Sequence, residues 1–433
     1  MMKIHLQGGR IIDPQSGLDQ LGHVYVANGK IVAIGEQVSD FVADRVIDAR
    51  GLCVCPGLVD LSVRLREPGN EYRATLASEM RAACAGGVTT LACPPDTAPP
   101  LDETGLIEML KFRAKSLHLS KVYPIAALTQ QLAGERLTEM AELRDAGCIG
   151  VSQADAGLVD NQVLMRALEY AATFDITVWL RPQDVYLSRG GVAHDGVVAA
   201  RLGLPAIPLA AETIAVMTIL LLARETGARV HLCRLSSAMA IQMVRHAKAE
   251  GLSVTCDISI QHLHLSEIDI GYFDPNCHLV PPLRSLRDRD AIRTALADGT
   301  IDAVCSDHTP VDDDAKLLPF GETEPGASGV ELLLALTLKW AAETGAPLAK
   351  ALGTVTYQPA RIMGVPAGQL AVGAAADLCV VDLAQWWRVD ATSLKSQGKN
   401  TPFFGYELCG KVRYTLVDGL MAFEANQHGL SDS

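Results

Sequence analysis

The residues of this 433-residue chain that could do chemistry gather at the ends of short apolar runs. They are Asp60, Ser62, Arg64 and Arg66; Cys93 to Thr97; Ser152 to Asp155; Arg181, Gln183 and Asp184; Arg234; Asp257 to Gln261; and Asp307 with His308. The set is rich in arginine and aspartate and poor in histidine. Arginine stays protonated at any working pH and has no lone pair to offer, so this set favours ion pairing and anion binding over metal coordination. Several histidines and cysteines have plain readings. His308, beside Asp307, reads as a structural hydrogen-bonder. His262 and His264 in Q-H-L-H-L share a face if extended, a candidate divalent pair. His231, three residues before Arg234 inside a strand, reads as a packed core histidine. Cys53 and Cys55 form a C-x-C pair with no second pair or nearby histidine to complete a zinc site.

The elements that must position these residues come next. Eight short, β-branched apolar runs begin at Leu58, Val88, Lys121, Cys148, Thr177, Ala228, Leu252 and Thr300. Segments of helical period lie between them, among them ATLASEMRAACAGG, NQVLMRALEYAATF and SAMAIQMVRHAKAEG. Strand and helix alternate at the size of a βα unit, with two longer gaps for insertions. Eight such units predict a (β/α)₈ barrel, whose functional groups belong at the C-terminal strand ends. Both flanks instead read as short strands joined by N-G and G-G turns. The expected architecture is therefore α/β: a barrel over residues 58–359 and a small β-sandwich built from residues 1–57 with 360–433.

Lysine and arginine number 37 against 50 acidic residues, a formal net charge of −13. That argues against a general nucleic-acid or anionic-membrane binder. The N-terminal stretch has no apolar core of signal-peptide length, and the apolar stretch near Ile214 to Ala223 is about half a membrane span. An odd number of cysteines, 11, spread through core strands suits reduced thiols. These features imply a soluble, cytoplasmic protein.

The run P-G-L-V-D-L-S-V-R-L-R-E-P-G, from Pro56, resembles the first-strand motif P-G-x-x-D-x-H-x-H-x-R-E-P-G of dihydroorotases in the amidohydrolase superfamily. The likeness continues through A-G-G-V-T-T, G-V-A-H-D-G-V-V-A-A-R-L-G-L-P-A-I-P, P-P-L-R-S, L-A-D-G-T-I-D-A-V-C-S-D-H-T-P, Q-P-A-R-I-M-G and K-N-T-P-F-F-G-Y-E-L, across nearly the whole chain. In that family zinc is held by both histidines of H-x-H, two later strand-end histidines and an acidic or modified lysine ligand. The resemblance puts Ser62 and Arg64 at the H-x-H positions, and Arg181 and Arg234 at the two later ones. The acidic ligand falls on Gln153 or Ala154, unless a one-residue shift lets Asp155 serve. Arg66 matches the family's substrate-carboxylate arginine, and Asp307 its catalytic aspartate. The family's asparagines are replaced by Pro95 or Asp96 and by Val280.

The resemblance with these replacements implies a non-catalytic dihydroorotase homologue without the family's zinc. Such homologues join aspartate carbamoyltransferase in pyrimidine (UMP) synthesis, so the implied partner is that enzyme's catalytic chain, in a heterododecamer of six chains of each kind, with self-association as the other oligomer. Asp307 is then expected to pair with one or more of Arg64, Arg181 and Arg234. Two alternatives stand beside this reading. One is an active cyclic amidase with a mononuclear metal on Asp155, His308 and Asp307; the other is an anion sensor using the arginine-lined pocket.

Overall fold

The computed structural model describes residues 2–157 and 160–425. Residues 426–433, assigned above to the C-terminal part of the sandwich, lie outside the described residues. All eight apolar runs form barrel strands. In order they are Leu58–Asp60, Val88–Cys93, Lys121–Pro124 with Ala126–Ala127, Val151–Ser152, Val178–Leu180, Val230–Leu232, Val254–Ser259 and Ala303–Cys305. Neighbours pair in parallel. The ring closes between eighth and first strands just past their ends, where the amide of Arg64 donates to the carbonyl of His308 and that of His308 to the carbonyl of Ser62. The expected (β/α)₈ barrel is thus the observed one.

Local chemistry sets the intervening helices. Leu76–Ala85 starts at a capping box in which Thr75 and Ser78 satisfy each other's backbone amides, and Leu286–Asp298 starts at another between Ser285 and Asp288. The second stops at Gly299, whose φ of +85° a side chain would resist. The longer gap after the fifth strand holds a parallel pair, Ala193–His194 with Ala206–Ile207. Inside the barrel Val59, Leu61, Ala92, Ile125, Trp179, Ala303 and Cys305 pack together, joined by Ala360 and Met363 of helix Tyr357–Met363. This helix plugs the N-terminal end and leaves the C-terminal end to polar side chains.

The two chain ends build the second module. One hydrogen-bonded sheet runs Leu420–Glu424, Glu407–Val417, Leu378–Arg388, Cys53–Pro56, Ile4–Asp13, Leu18–Ala27 and Lys30–Gly35, with Arg45–Asp48 added beside Ile4–Asp13. Its own core contains Ile4, Leu6, Ile11, Val24, Val26, Leu378, Val380 and Leu416. The seam between the ends is the antiparallel pair Cys53–Pro56 with Leu378–Arg388, which places Cys55 opposite Cys379. Their sulfurs are 3.3 Å apart and fully buried, so Cys55 is a packed core thiol. All 11 cysteines are free. No helix among the described residues is long and apolar enough to cross a membrane.

Candidate functional site: an arginine–aspartate centre at the strand ends

Where the strands stop, the backbone turns sharply. Arg66, Ala154, Arg234 and Asp307 all adopt left-handed conformations, with φ of 62°, 50°, 55° and 45°. Such values are uncommon for residues with a Cβ and cluster at sites whose surroundings hold them. At Arg234 the holding group is Asp257, whose Oδ1 accepts the Arg234 amide at 2.6 Å. The turns at Arg234 and Asp307 bring these two side chains together beyond the strand ends.

Three guanidiniums and three carboxylates meet there. Arg64 donates from Nε to Asp96 Oδ2 at 2.7 Å, from Nη2 to Asp155 Oδ2 at 2.7 Å and from Nη1 to Asp307 Oδ1 at 3.2 Å. Arg234 donates to Asp155 Oδ1 at 2.5 Å and to Asp307 Oδ1 at 3.0 Å. Arg181 donates to Asp155 Oδ1 at 2.5 Å and to Gln183. Asp307 therefore pairs with Arg64 and Arg234, while Arg181 is taken by Asp155. Formal charge cancels, three against three.

Burial sharpens the pairing. Arg64 and Arg234 are each 5% exposed. Burial alone would weaken both as cations, but Asp96 and Asp155 beside Arg64, and Asp155 and Asp307 beside Arg234, hold both above the ordinary guanidinium range. Arg181 falls below that range because its burial outweighs the attraction of Asp155. For Asp155, burial is likewise outweighed by Arg234, Arg181 and Arg64, so it stays ionised far below the usual carboxylate range. Under the guanidiniums, Ser62, Arg64, Ser152, Trp179, Arg181 and Arg234 line a cavity of about 20 Å³, room for about one water molecule.

The remaining sequence candidates divide. Ser62 Oγ donates to Asp307 at 3.4 Å and belongs to the centre. Gln153 does not: its amide donates to Leu132 O and its oxygen accepts from Thr129, both in the neighbouring loop. Arg66 donates from Nε to Pro310 O at the edge of the site, and burial followed by the repulsion of Arg64 lowers its pKa to about 10. Asp96 is the Arg64 partner, and Val280 contributes its carbonyl to Arg234 at 3.2 Å. Asp60 lies beneath the centre, accepting the amides of Ser62 and Ser306, and burial raises it to about 6.

The histidines correct two expectations. His308 does not face Asp155 or Asp307. Its Nε2 lies 2.6 Å from Glu79 Oε2, and its Nδ1 accepts the amide of Gly329 at 3.2 Å. A Cβ on Gly329 would meet the Ser306 carbonyl at 2.5 Å, so only glycine brings that amide so close. With both ring nitrogens engaged, the proposed trio Asp155, His308 and Asp307 does not assemble as a metal site. His262 and His264 are not extended either. They sit in the short helix Ile260–His264, where His262 meets Ser259 Oγ and Pro282 O, and His264 meets Leu336 O. Burial lowers both to about 4, fixing them as neutral hydrogen-bonding groups.

Sequence reasoning missed two arrangements. Buried Glu79 links His308 to Ser396, a contact spanning the first helix and the C-terminal segment. His231, Cys233 and Asp257 also come together, with one ligand atom of each within 4.8 Å of the others. His231 is fully buried, as a core histidine should be, but its Nε2 is 3.1 Å from Asp257 Oδ2. The signal was the alternation H-L-C in one strand beside an aspartate in the next.

Residues 51–239 match the family model described as dihydro-orotase-like, and residues 199–423 match that of the amidohydrolase family. A "dihydroorotase-like protein" of Pseudomonas aeruginosa is 46% identical over 98% of this chain and its own full length. A protein of a Geobacter species named "dihydroorotase" is 40% identical over 98% of this chain and its own full length. The solved L-hydantoinase (dihydropyrimidinase) of Arthrobacter aurescens superposes with a TM-score of 0.87 at 25% identity, covering 98% of this chain and 96% of its own.

These likenesses overturn two expectations. Relatives named dihydroorotase and an L-hydantoinase neighbour point to hydrolase activity, so the chain is not assigned as inactive. The expected absence of a cofactor is corrected as well, since the amidohydrolase family is metal-dependent. The donor chemistry decides where a metal fits. The family's histidine positions carry Ser62, Arg64, Arg181 and Arg234, and guanidiniums repel a cation, so those positions do not fit one. Among the described residues, His231, Cys233 and Asp257 are the group of ligand types that zinc accepts. The chain belongs to the dihydroorotase-like branch of the amidohydrolase superfamily.

Proposed function

We propose that this chain acts in pyrimidine synthesis, in the cytoplasm, as the dihydroorotase-like subunit of an assembly with the catalytic chain of aspartate carbamoyltransferase, six of each. The observation that carries this reading is the strand-end centre. Its arginines and aspartates satisfy one another, three against three, which suits a stiff, charge-balanced barrel mouth supporting a fixed shape. Mixing the purified chain with aspartate carbamoyltransferase catalytic chains tests it. Sedimentation velocity is expected to give one species holding both chains in equal number, with changed carbamoyltransferase activity. Two independent species at micromolar concentration overturn the proposal.

A second reading is cyclic-amide hydrolysis, favoured by the His231–Cys233–Asp257 group and by the names of the relatives. When bound, a zinc ion would supply Lewis acidity. His231, Cys233 and Asp257 would hold it, and burial, aided by Asp257, already sets the Cys233 thiol well above its ordinary value, so binding would have to displace that proton. Stoichiometric zinc and dihydroorotate turnover, both lost in Asp257→Asn, would favour this reading. Zinc-free protein that does not turn over dihydroorotate would remove it.

A further inference from the structure

The N-terminal end of the barrel carries a larger space than the pocket of about 180 Å³ beside Asp155 and Arg181 at the C-terminal end. A cleft of about 590 Å³ opens beside the plug helix, between the starts of the fourth to eighth strands. That is within the ordinary range for small-molecule sites, roughly 300 to 1,000 Å³. Its apolar wall includes Ile149, Ile176, Ile362 and Met363, and around it stand four cations: Arg144, Arg229, Lys350 and Arg361.

The cations of this cleft are held less firmly than those at the strand ends: Arg144 pairs with exposed Asp145, Arg229 with exposed Asp175 and with Thr177, and Lys350 donates to the Ala297 carbonyl. Two carboxylates line it, Asp175 and Asp302. Asp175 is held by Arg229 at 3.1 Å, and Asp302 by Lys248 and the Cys256 amide at 2.5 and 2.8 Å. Arg361 has no side-chain hydrogen bond or ion pair among the described residues. In a chain of net charge −13, cations gathered around one cleft make a local positive potential against the overall field. Arginine forks match phosphate oxygens in bidentate geometry. Gln358 lines the same space; its amide nitrogen is engaged by Tyr357 Oη at 3.2 Å, so its carbonyl oxygen is available to a ring donor.

We infer that this cleft binds a phosphate-bearing small molecule with a flat apolar body, of nucleoside monophosphate size, its phosphate on the unpartnered Arg361 and displacing the exposed Asp175 carboxylate from Arg229, its ring against Ile362 and Met363. The site lies at the opposite end of the barrel from the arginine–aspartate centre and does not depend on the proposed function.

Calorimetry on the full chain with UMP, AMP, uridine, adenosine and inorganic phosphate as separate probes tests the inference. At least one nucleotide is expected to bind saturably, with its nucleoside and inorganic phosphate each at least tenfold weaker. Arg361→Ala and the double variant with Arg229→Ala should each weaken nucleotide binding tenfold or more, while Arg10→Ala in the sandwich leaves it unchanged. Arg361 is exposed, and circular dichroism melts of each variant confirm that folding is retained. No heat for either nucleotide, equal binding of inorganic phosphate, or affinity indifferent to the double variant overturns the inference.

Discussion

The two ends of the barrel both collect arginines, and what separates them is pairing. At the C-terminal end Arg64, Arg181 and Arg234 are almost fully buried and face Asp96, Asp155 and Asp307. At the N-terminal end Arg144, Arg229, Lys350 and Arg361 are exposed, and the nearby carboxylates are already engaged. A buried guanidinium must be neutralised to be tolerated. An exposed one needs no partner, as Arg361 shows, and where it has one, as Arg144 and Arg229 do, the pair lies in water and is weak. Arginine count therefore says little about binding, and the solvation of each arginine says much.

The largest expected effect comes from breaking a pair at the buried end. Arg234→Met takes a buried partner from Asp155 and Asp307 at once, leaving Arg64 to hold both and Arg181 to hold Asp155. It should cost roughly 3–5 kcal/mol of stability, read from urea unfolding midpoints. A loss under about 1 kcal/mol would mean that the two ends do not differ as described.

An intermediate effect concerns acid. His262 and His264 are held at about 4 when folded but take up protons near 6.5 when unfolded. Their neutral, folded form is stabilising above pH 6.5, and that stability drains away as the pH falls toward 4. Between pH 7 and 5 the loss should be about 2 kcal/mol for each histidine. Thermal melts should show the fall, and His264→Gln should flatten it. Asp155, whose folded value lies below the carboxylate range, stabilises fully above the ordinary carboxylate value and loses that contribution progressively as the pH falls from there toward its lowered value. Acid should thus weaken the protein first through the histidines, leaving the arginine centre intact at pH 5. A pH profile unchanged by His264→Gln would count against this order.

The smallest effect is at the exposed end. Arg361→Ala should change stability by no more than about 0.5 kcal/mol, because it removes a solvated side chain without a partner. A large loss there, measured in the same urea series as Arg234→Met, would show that the N-terminal rim is also structural and would erase the contrast.

Some of this was legible in residues alone. The eight barrel strands could be read because each is a β-branched run bounded by turn residues, and parallel strands buried on both faces keep that signature. Ser62, Arg64, Arg181 and Arg234 were found because they sit at fixed offsets within recognisable strand motifs. The partners were harder. Asp96 and Asp155 come from loops after two different strands, and no spacing rule links them to Arg64. His308 sits beside Asp307 in sequence, yet its ring turns to Glu79, 229 residues away. His262 and His264 looked like one face of a strand, but Ser259 caps a short helix there and sends them to different partners. The expectations of a metal-free, inactive chain were drawn from the four family positions alone, without the His231–Cys233–Asp257 group or the relatives named dihydroorotase.

By itself the sequence determined the barrel, the sheet added by its flanks and the identity of the side chains at the strand ends, because hydrophobic period and local motif are properties of neighbouring residues. Only the tertiary structure decided which charges meet and which remain in water. Pairing depends on distances between separate loops and on the solvent each group loses, and no single stretch of chain records either.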